Sequence, residues 1–259
     1  MLEEQIRRRK RHKDLLIMTH IVIGYPSFRE SWALARSMVD AGIDLLELQI
    51  PFSEPMADGP VILAANQQAL AAGANVGKCF EFARELSGQV QIPLLFMTYY
   101  NIPLKYGLPR FAADARQAGV QAAIVPDLPP EEAQDYLAAM RAESLDPVML
   151  FAPNTPEPRM RLLAENGSGL VYCVARKGVT GAKTDFSGDL TEYLARARRA
   201  TTLPLAVGFG LKERADVDYV RGKADVAVVG SESLRVFQTS GLRATSDFIR
   251  SLTGSTSGA

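Results

Sequence analysis

Short runs of β-branched and aliphatic residues alternate with amphipathic stretches along almost all of the 259-residue chain, and that alternation constrains the fold more than any other feature. Eight runs read as strands: 17–23, 44–50, 93–98, 122–125, 147–151, 169–174, 205–208 and 225–230. They are apolar on both faces, as strands are when helices cover one side and a packed core fills the other. Between them, Ala133, Tyr136, Leu137 and Met140 keep helical spacing, and Ala35, Met38 and Val39 repeat it in miniature. Ser27 is placed to cap the first of these helices and Asn154-Thr155-Pro156 the fifth. Asp-Leu-Pro-Pro-Glu-Glu at 127–132 ends a strand and opens another helix. Eight strand–helix units in a chain of this length predict an α/β protein, a closed (β/α)8 TIM barrel with an extra N-terminal helix, as a single domain over 1–259. A doubly wound open sheet would need fewer strands and a topological switch point, and no such point is visible. Only 254–259 reads as a loose C-terminal tail.

Composition narrows the functional classes. Formal net charge is zero, so no global field favours nucleic acid or an anionic membrane. Arg7-Arg8-Arg9-Lys10-Arg11-His12-Lys13 is a local basic run. Such runs are common on solvated helix faces, Leu2 and Ile6 give this one an apolar side, and no nucleic-acid partner is expected. The apolar runs are strand-sized, too short to cross a bilayer. The charged N-terminus lacks the apolar stretch of a signal peptide. Cys79 and Cys173 fit no metal or redox spacing and suit reduced thiols in a cytoplasmic protein. With two widely spaced histidines and no cysteine cluster, no catalytic metal is expected.

In a barrel of this kind the site lies at the C-terminal ends of the strands, and the unusual residues fall there. Glu47 sits among Leu45, Leu46, Leu48 and Ile50. Burying a carboxylate in such company is costly unless it has a partner or a task, and desolvation pushes its pKa upward. Asp58, between a proline-rich turn and a glycine, is expected in a more polar and mobile place, so the two make an acid/base pair. Alternation puts Leu45, Glu47 and Gln49 on one face, with Gln49 a layer above Glu47. Gly208-Phe209-Gly210 and Gly230-Ser231 end the seventh and eighth runs, where this fold recurrently binds phosphate through backbone N–H groups and a helix N-terminus. The glycine-containing segment 176–188 reads as a lid. Other positions stay open. His20 either faces the pocket or fills the core; Tyr99, Tyr100 and Asn101 either line an aromatic-binding pocket or pack the barrel top; Asp127 either orients a ligand or caps a helix.

The segment Glu47-Leu48-Gln49-Ile50-Pro51-Phe52-Ser53-Glu54-Pro55-Met56-Ala57-Asp58-Gly59-Pro60 resembles the signature of tryptophan synthase alpha subunits. Tyr99-Tyr100-Asn101, Pro126-Asp127-Leu128-Pro129, Arg176-Lys177-Gly178-Val179-Thr180-Gly181 and the two glycine motifs agree with that family in order and spacing, so the resemblance spans nearly the whole chain. It implies cleavage of indole-3-glycerol phosphate to indole and D-glyceraldehyde 3-phosphate by a retro-aldol step that needs no cofactor in this chain. Glu47 matches the acid/base that protonates indole carbon 3, Asp58 the carboxylate that engages the indole N–H, and Thr180 the lid residue closing toward Asp58. Tyr172 matches a pocket residue near Glu47, with Tyr99, Gln49 and His20 as further substrate-side positions. Gly181, Gly208, Phe209, Gly210, Gly230 and Ser231 match the phosphate cradle. Pro51, Glu54, Pro55, Asn101 and Pro129 fall where the family meets its beta subunit, a pyridoxal-phosphate enzyme that receives indole through a tunnel in an αββα heterotetramer. The family places the N-terminal helix under the barrel. The chain departs from the family's usual residues at Gln49 (glycine), His20 (an apolar aromatic), Tyr25 (aspartate), Ala175 (serine) and Glu54 (aspartate). A catalytically weakened barrel serving as an allosteric partner of the beta subunit, and a free-standing lyase, are the alternatives.

Overall fold

The computed structural model describes residues 1–175, 188–208 and 210–254. Thr180, Gly181 and the rest of the expected lid up to residue 187, with Phe209 and the tail beyond Gly254, lie outside them. The chain opens with α1 (Leu2–Lys10), then runs β1 (Leu16–Val22), α2 (Phe28–Asp40), β2 (Leu45–Gln49), α3 (Pro60–Ala71), α4 (Val76–Ser87) and β3 (Leu94–Met97). It continues with α5 (Asn101–Tyr106), α6 (Leu108–Gln117), β4 (Ala122–Ile124), α7 (Gln134–Ala142), β5 (Asp146–Phe151), α8 (Glu157–Asn166) and β6 (Val171–Val174). The last elements are α9 (Gly188–Ala200), β7 (Leu205–Gly208), α10 (Arg214–Val220), β8 (Val226–Val229) and α11 (Ser231–Thr253). The eight strands close into one parallel barrel in chain order, β8 pairing back onto β1. All eight expected runs are strands, so the structure is the (β/α)8 barrel with an added N-terminal helix.

Alternation along the strands sorts the core into two shells. Leu16, Met18, Leu45, Leu95, Met97, Ala122, Ile124 and Val148 meet inside the barrel. The intervening residues, such as Ile17, Ile21, Leu46, Leu48 and Phe96, pack outward under the helices. Two connections carry a pair of helices each. Between α3 and α4 the chain restarts at Asn75, whose side chain accepts the Lys78 N–H. Between α5 and α6 it turns on Gly107 at φ +94°, a backbone region that favours glycine.

α1 closes the N-terminal end of the barrel with Leu2 and Ile6, both fully buried in the inner shell. Its basic residues grip that end: Arg7 donates to the Thr202 carbonyl at 2.7 Å, Arg9 to the Gln91 carbonyl, and Lys10 lies 3.7 Å from Asp225. Two buried carboxylates fasten the same end. Asp44 accepts from the Ile17 N–H at 3.0 Å and from Lys13 at 2.7 Å; Asp146 accepts from the Leu2 N–H at 2.8 Å and from the Ser168 hydroxyl at 2.6 Å.

Ser27 caps α2, accepting the Glu30 N–H. The expected cap on α8 is different: the Thr155 hydroxyl accepts the Ala152 N–H, turning the loop back, and Pro156 enters the helix with no side-chain cap. The 127–132 segment forms a single 3-10 turn over Pro130–Glu132 before α7 begins, because the prolines leave too few N–H groups for a full helical turn. Asp127 caps the preceding connection, accepting the Tyr100 N–H in front of α5.

Candidate active site

β1 and β2 are registered so that His20 lies opposite Glu47, both on the inward face. Strands in such a ladder are about 4.8 Å apart, so facing polar side chains reach one another. His20 Nδ1 is 3.0 Å from Glu47 Oε1. Both residues are buried, 4% and 5% exposed, and Glu47 Oε2 has no hydrogen-bond partner.

The loop after β2 brings in the second carboxylate, and Tyr99 fixes it there. The Tyr99 ring stacks on Phe52 with centroids 5.3 Å apart, its hydroxyl accepts the Ala57 N–H at 3.1 Å, and the same hydroxyl donates to Asp58 Oδ2 at 2.9 Å. Gln49 Nε2 donates to that oxygen at 2.7 Å. Asn66 on α3 accepts the Phe52 N–H, tying the start of the loop to the helix behind it. Asp58 is therefore held by two donors and is not the mobile group expected from its turn. Desolvation raises its carboxyl above the ordinary value; His20, Gln49 and Tyr99 pull against that shift, and Glu47 adds to it. Burial disfavours a charged His20, yet Glu47 and then Asp58 outweigh burial, and the imidazole pKa is raised.

Both carboxylates open on one cavity of about 610 Å³, counted out to its open mouth at the C-terminal end of the strands. His20, Glu47, Asp58, Tyr172, Gly210, Gly230 and Ser231 line it, and the remainder of the wall is apolar: Ala57, Ile62, Met97, Ile124, Pro126, Leu150, Leu211 and Val228. A flat apolar ligand with one polar end suits such a wall. Of these, only Ala57 and Pro126 fall in the motifs read from sequence, since a buried Leu or Ile at a strand end looks like any core residue. Gln49 and Tyr99 are fully buried behind the cavity and act on it through Asp58. Gly208 lies under Tyr172: a Cβ there would sit 2.7 Å from the ring Cζ. Gly210 takes φ +111°, and Gly230 with Ser231 begins α11, whose first N–H groups carry the partial positive charge of a helix start.

At the rim, Glu54, Asn101 and Pro129 are exposed, whereas Pro51 and Pro55 are buried and shape the loop from within. Met56 on the loop after β2 and Leu104 on α5, 73% and 53% exposed, stand beside them and carry no signal in the sequence beyond being apolar. Among the described residues no cluster of His, Cys, Asp and Glu is arranged to hold a metal ion, and no helix is long and apolar enough to cross a membrane.

A (β/α)8 barrel with a buried carboxylate, a partly buried one and a helix N-terminus converging on one largely apolar cavity has the architecture of a barrel enzyme with acid/base groups at its mouth. Comparison with known proteins makes this specific. A profile of the tryptophan synthase alpha chain matches residues 6–253. A tryptophan synthase alpha chain of Syntrophotalea carbinolica is 58% identical over 252 residues, covering 97% of this chain and all of that one. Among solved structures, tryptophan synthase of Mycobacterium tuberculosis superposes with a TM-score of 0.90 at 30% identity, covering 98% of this chain and 96% of the other. The tryptophan synthase complex of Pyrococcus furiosus gives 0.83 at 29% identity, covering 93% and 98%. The chain belongs to the tryptophan synthase alpha chain family.

Proposed function

We propose that this chain is the lyase of a tryptophan synthase: it cleaves indole-3-glycerol phosphate to indole and D-glyceraldehyde 3-phosphate in tryptophan biosynthesis. The observation that carries the proposal is that Glu47 and Asp58, on the segment that matches the family's acid/base pair, open on one apolar cavity with Gly230 and Ser231 across it. Glu47 gives a proton to indole carbon 3 while Asp58 holds the indole N–H and offsets the positive charge of the protonated ring. The bond from carbon 3 to the glycerol chain then breaks, its electron pair restoring the aromatic ring. The adjacent hydroxyl becomes the aldehyde carbonyl and returns its proton to Glu47, so the carboxyl ends each turnover as it began. Gly210, Gly230 and Ser231, with Gly181, Gly208 and Phe209, are assigned to the phosphate, and Thr180 to lid closure over Asp58.

The cycle needs no cofactor in this chain; pyridoxal phosphate is assigned to the beta subunit, which takes the indole in a cytoplasmic αββα heterotetramer. Glu54, Asn101 and Pro129 on the rim, positioned by Pro51 and Pro55, are assigned to that interface, and one barrel domain does the work. The test is release of glyceraldehyde 3-phosphate from indole-3-glycerol phosphate by the chain alone and with a beta subunit. Slow turnover alone and a large rise with the partner is the expected outcome. Normal stimulation of the beta subunit without any cleavage would instead identify a purely allosteric barrel. Glu47→Gln is expected to lower kcat by about 10²–10⁴, the usual worth of a general acid–base group, with inorganic phosphate still protecting the fold in a thermal scan. Turnover retained in that variant would remove Glu47 from the mechanism.

A further inference from the structure

His20 stands in the cavity wall and takes no part in the proton cycle above. Its Nδ1 meets Glu47 Oε1 at 3.0 Å, while His20 Nε2 and Glu47 Oε2 are both buried without a hydrogen-bond partner. Buried polar atoms are nearly always paired, so these two orphans, on side chains that line the cavity, are open to the polar groups of a ligand. A carboxyl that gives and regains a proton also changes charge where water does not reach. A donor already fixed on it stabilises the charged form without reorganising.

We propose that His20 is a positioning residue for the cleavage reaction: its Nδ1–H fixes Glu47 Oε1 and leaves Oε2 as the oxygen that exchanges the proton with substrate. The inference rests on the lyase function proposed above. In the one-proton state of the pair the proton is on His20 Nε2 or on Glu47 Oε2, and Nδ1–H donates to Oε1 in both arrangements. When Glu47 hands its proton to the substrate carbon, the same bond steadies the carboxylate. When the proton returns from the substrate hydroxyl, the pair is restored, with no net proton gained or lost. Gln49 Oε1 faces the pair as an acceptor and favours the charged ring. The charged and titratable groups that bear on His20 are Glu47 on β2 and Asp58 on the loop after it. Tyr172 on β6 lies beyond, acting on both carboxylates. β8 and the start of α11 present Val228, Gly230 and Ser231, which do not titrate. Glu47 outweighs the burial that lowers the imidazole pKa, so the His20 ring holds its proton to a higher pH beside the carboxyl than it would without it.

Two variants separate this from packing. His20→Phe keeps the ring and removes the N–H, whereas His20→Asn sets an amide N–H near the place of Nδ1 and cannot titrate. In the complex with the beta subunit, His20→Phe is expected to lose about 10–100-fold in kcat with KM within about threefold, the pattern of an interaction that strengthens in the transition state. His20→Asn is expected to recover most of kcat, with the alkaline limb of its pH profile moved to lower pH. Native kcat and a native profile in His20→Phe overturn the proposal. So does equal loss in both variants with the limb unmoved, which is packing alone. A substrate-free measurement runs alongside. The chain has two histidines, and only His20 is buried, so imidazole nitrogen NMR resolves its titration. Its pKa is expected to fall in Glu47→Gln; a titration indifferent to residue 47 also refutes the pairing. Absence of cleavage by the native complex is the failure of the lyase function itself, seen before any variant is made.

Discussion

Gly208→Ala tests how the cavity wall is built. Gly208 ends β7, beside Val174 of β6 in the ladder, and the Tyr172 ring lies across it. A Cβ at 208 would stand 2.7 Å from Cζ and 2.8 Å from Cε1 of that ring, and nearer still to its hydroxyl, where ordinary contact begins near 3.4 Å. The ring must therefore give way by about 0.7 Å or more to reach that contact distance. It is 7% exposed, so it can yield only toward the cavity or by moving β7. Overpacking of this kind costs about 1–3 kcal/mol. In a domain of this size each kcal/mol lowers Tm by about 2–4 °C. Thermal unfolding should then fall by several degrees, and kcat/KM should fall with it, because the displaced ring enters the space beside Glu47. The cycle with Tyr172→Leu isolates the cause: the double variant should unfold well above the sum expected from the two singles. Native Tm in Gly208→Ala, or strictly additive losses, would refute the close-approach argument and return Gly208 to a turn or phosphate role.

Three further outcomes are expected. Ser231→Ala should raise KM for the phosphorylated substrate more than it lowers kcat; an unchanged KM removes Ser231 from the phosphate site. Asp58 has its folded-state pKa raised above the ordinary 3.8. The folded state is thus favoured below that value and loses this advantage as pH rises through the raised pKa. Asp58→Asn should accordingly gain Tm relative to the native chain as pH climbs from about 4 to 8, while cleavage is lost, and a difference in Tm that does not change with pH contradicts it. Asp146→Ala should do the opposite at the other end of the barrel: two hydrogen bonds to a charged group are lost, worth together about 3 kcal/mol, with kcat preserved below the melting range. A loss of kcat at unchanged stability would place Asp146 in the site.

Periodicity was enough for the barrel because each of its terms is local. Apolar runs at period two, helical spacing between them and an end-of-strand glycine are all visible in a few consecutive residues. The same alternation placed Glu47 and Gln49 on the inward face. What it left open are facts of register and side-chain choice. His20 meets Glu47 only because β1 and β2 pair with that offset; a slip of one residue would have faced Thr19 or Ile21 to it. Gln49 had Glu47 two residues away and Asp58 nine away, and donates to Asp58, since the Tyr99–Phe52 stack delivers the loop to it. Gly208 reads as half of a glycine motif, but its close neighbour is a tyrosine from the adjacent strand, which no spacing rule reveals.

Four carboxylates on strands and loops of the barrel make the division of labour physical. At the N-terminal end, Asp44 and Asp146 each take donors on both oxygens, among them the backbone N–H groups of Ile17 and Leu2, and they clasp α1 and β1 to the barrel. At the C-terminal end, Asp58 takes two donors on a single oxygen, and Glu47 takes one bond on Oε1 while Oε2 has none. A buried carboxylate with its valence filled is a fastener; one left short is held at a free-energy cost, of about 1–3 kcal/mol for each unsatisfied group. Folding alone gives no reason to keep such a cost in a strand that is buried at every position. A substrate proton bound at Oε2 gives one, and so replacing the bonded pair together, His20→Phe with Glu47→Leu, should stabilise the fold while ending catalysis. A melting temperature lowered by that replacement would mean that Glu47 is a fastener too, and that the proton cycle has to be sought elsewhere in the cavity.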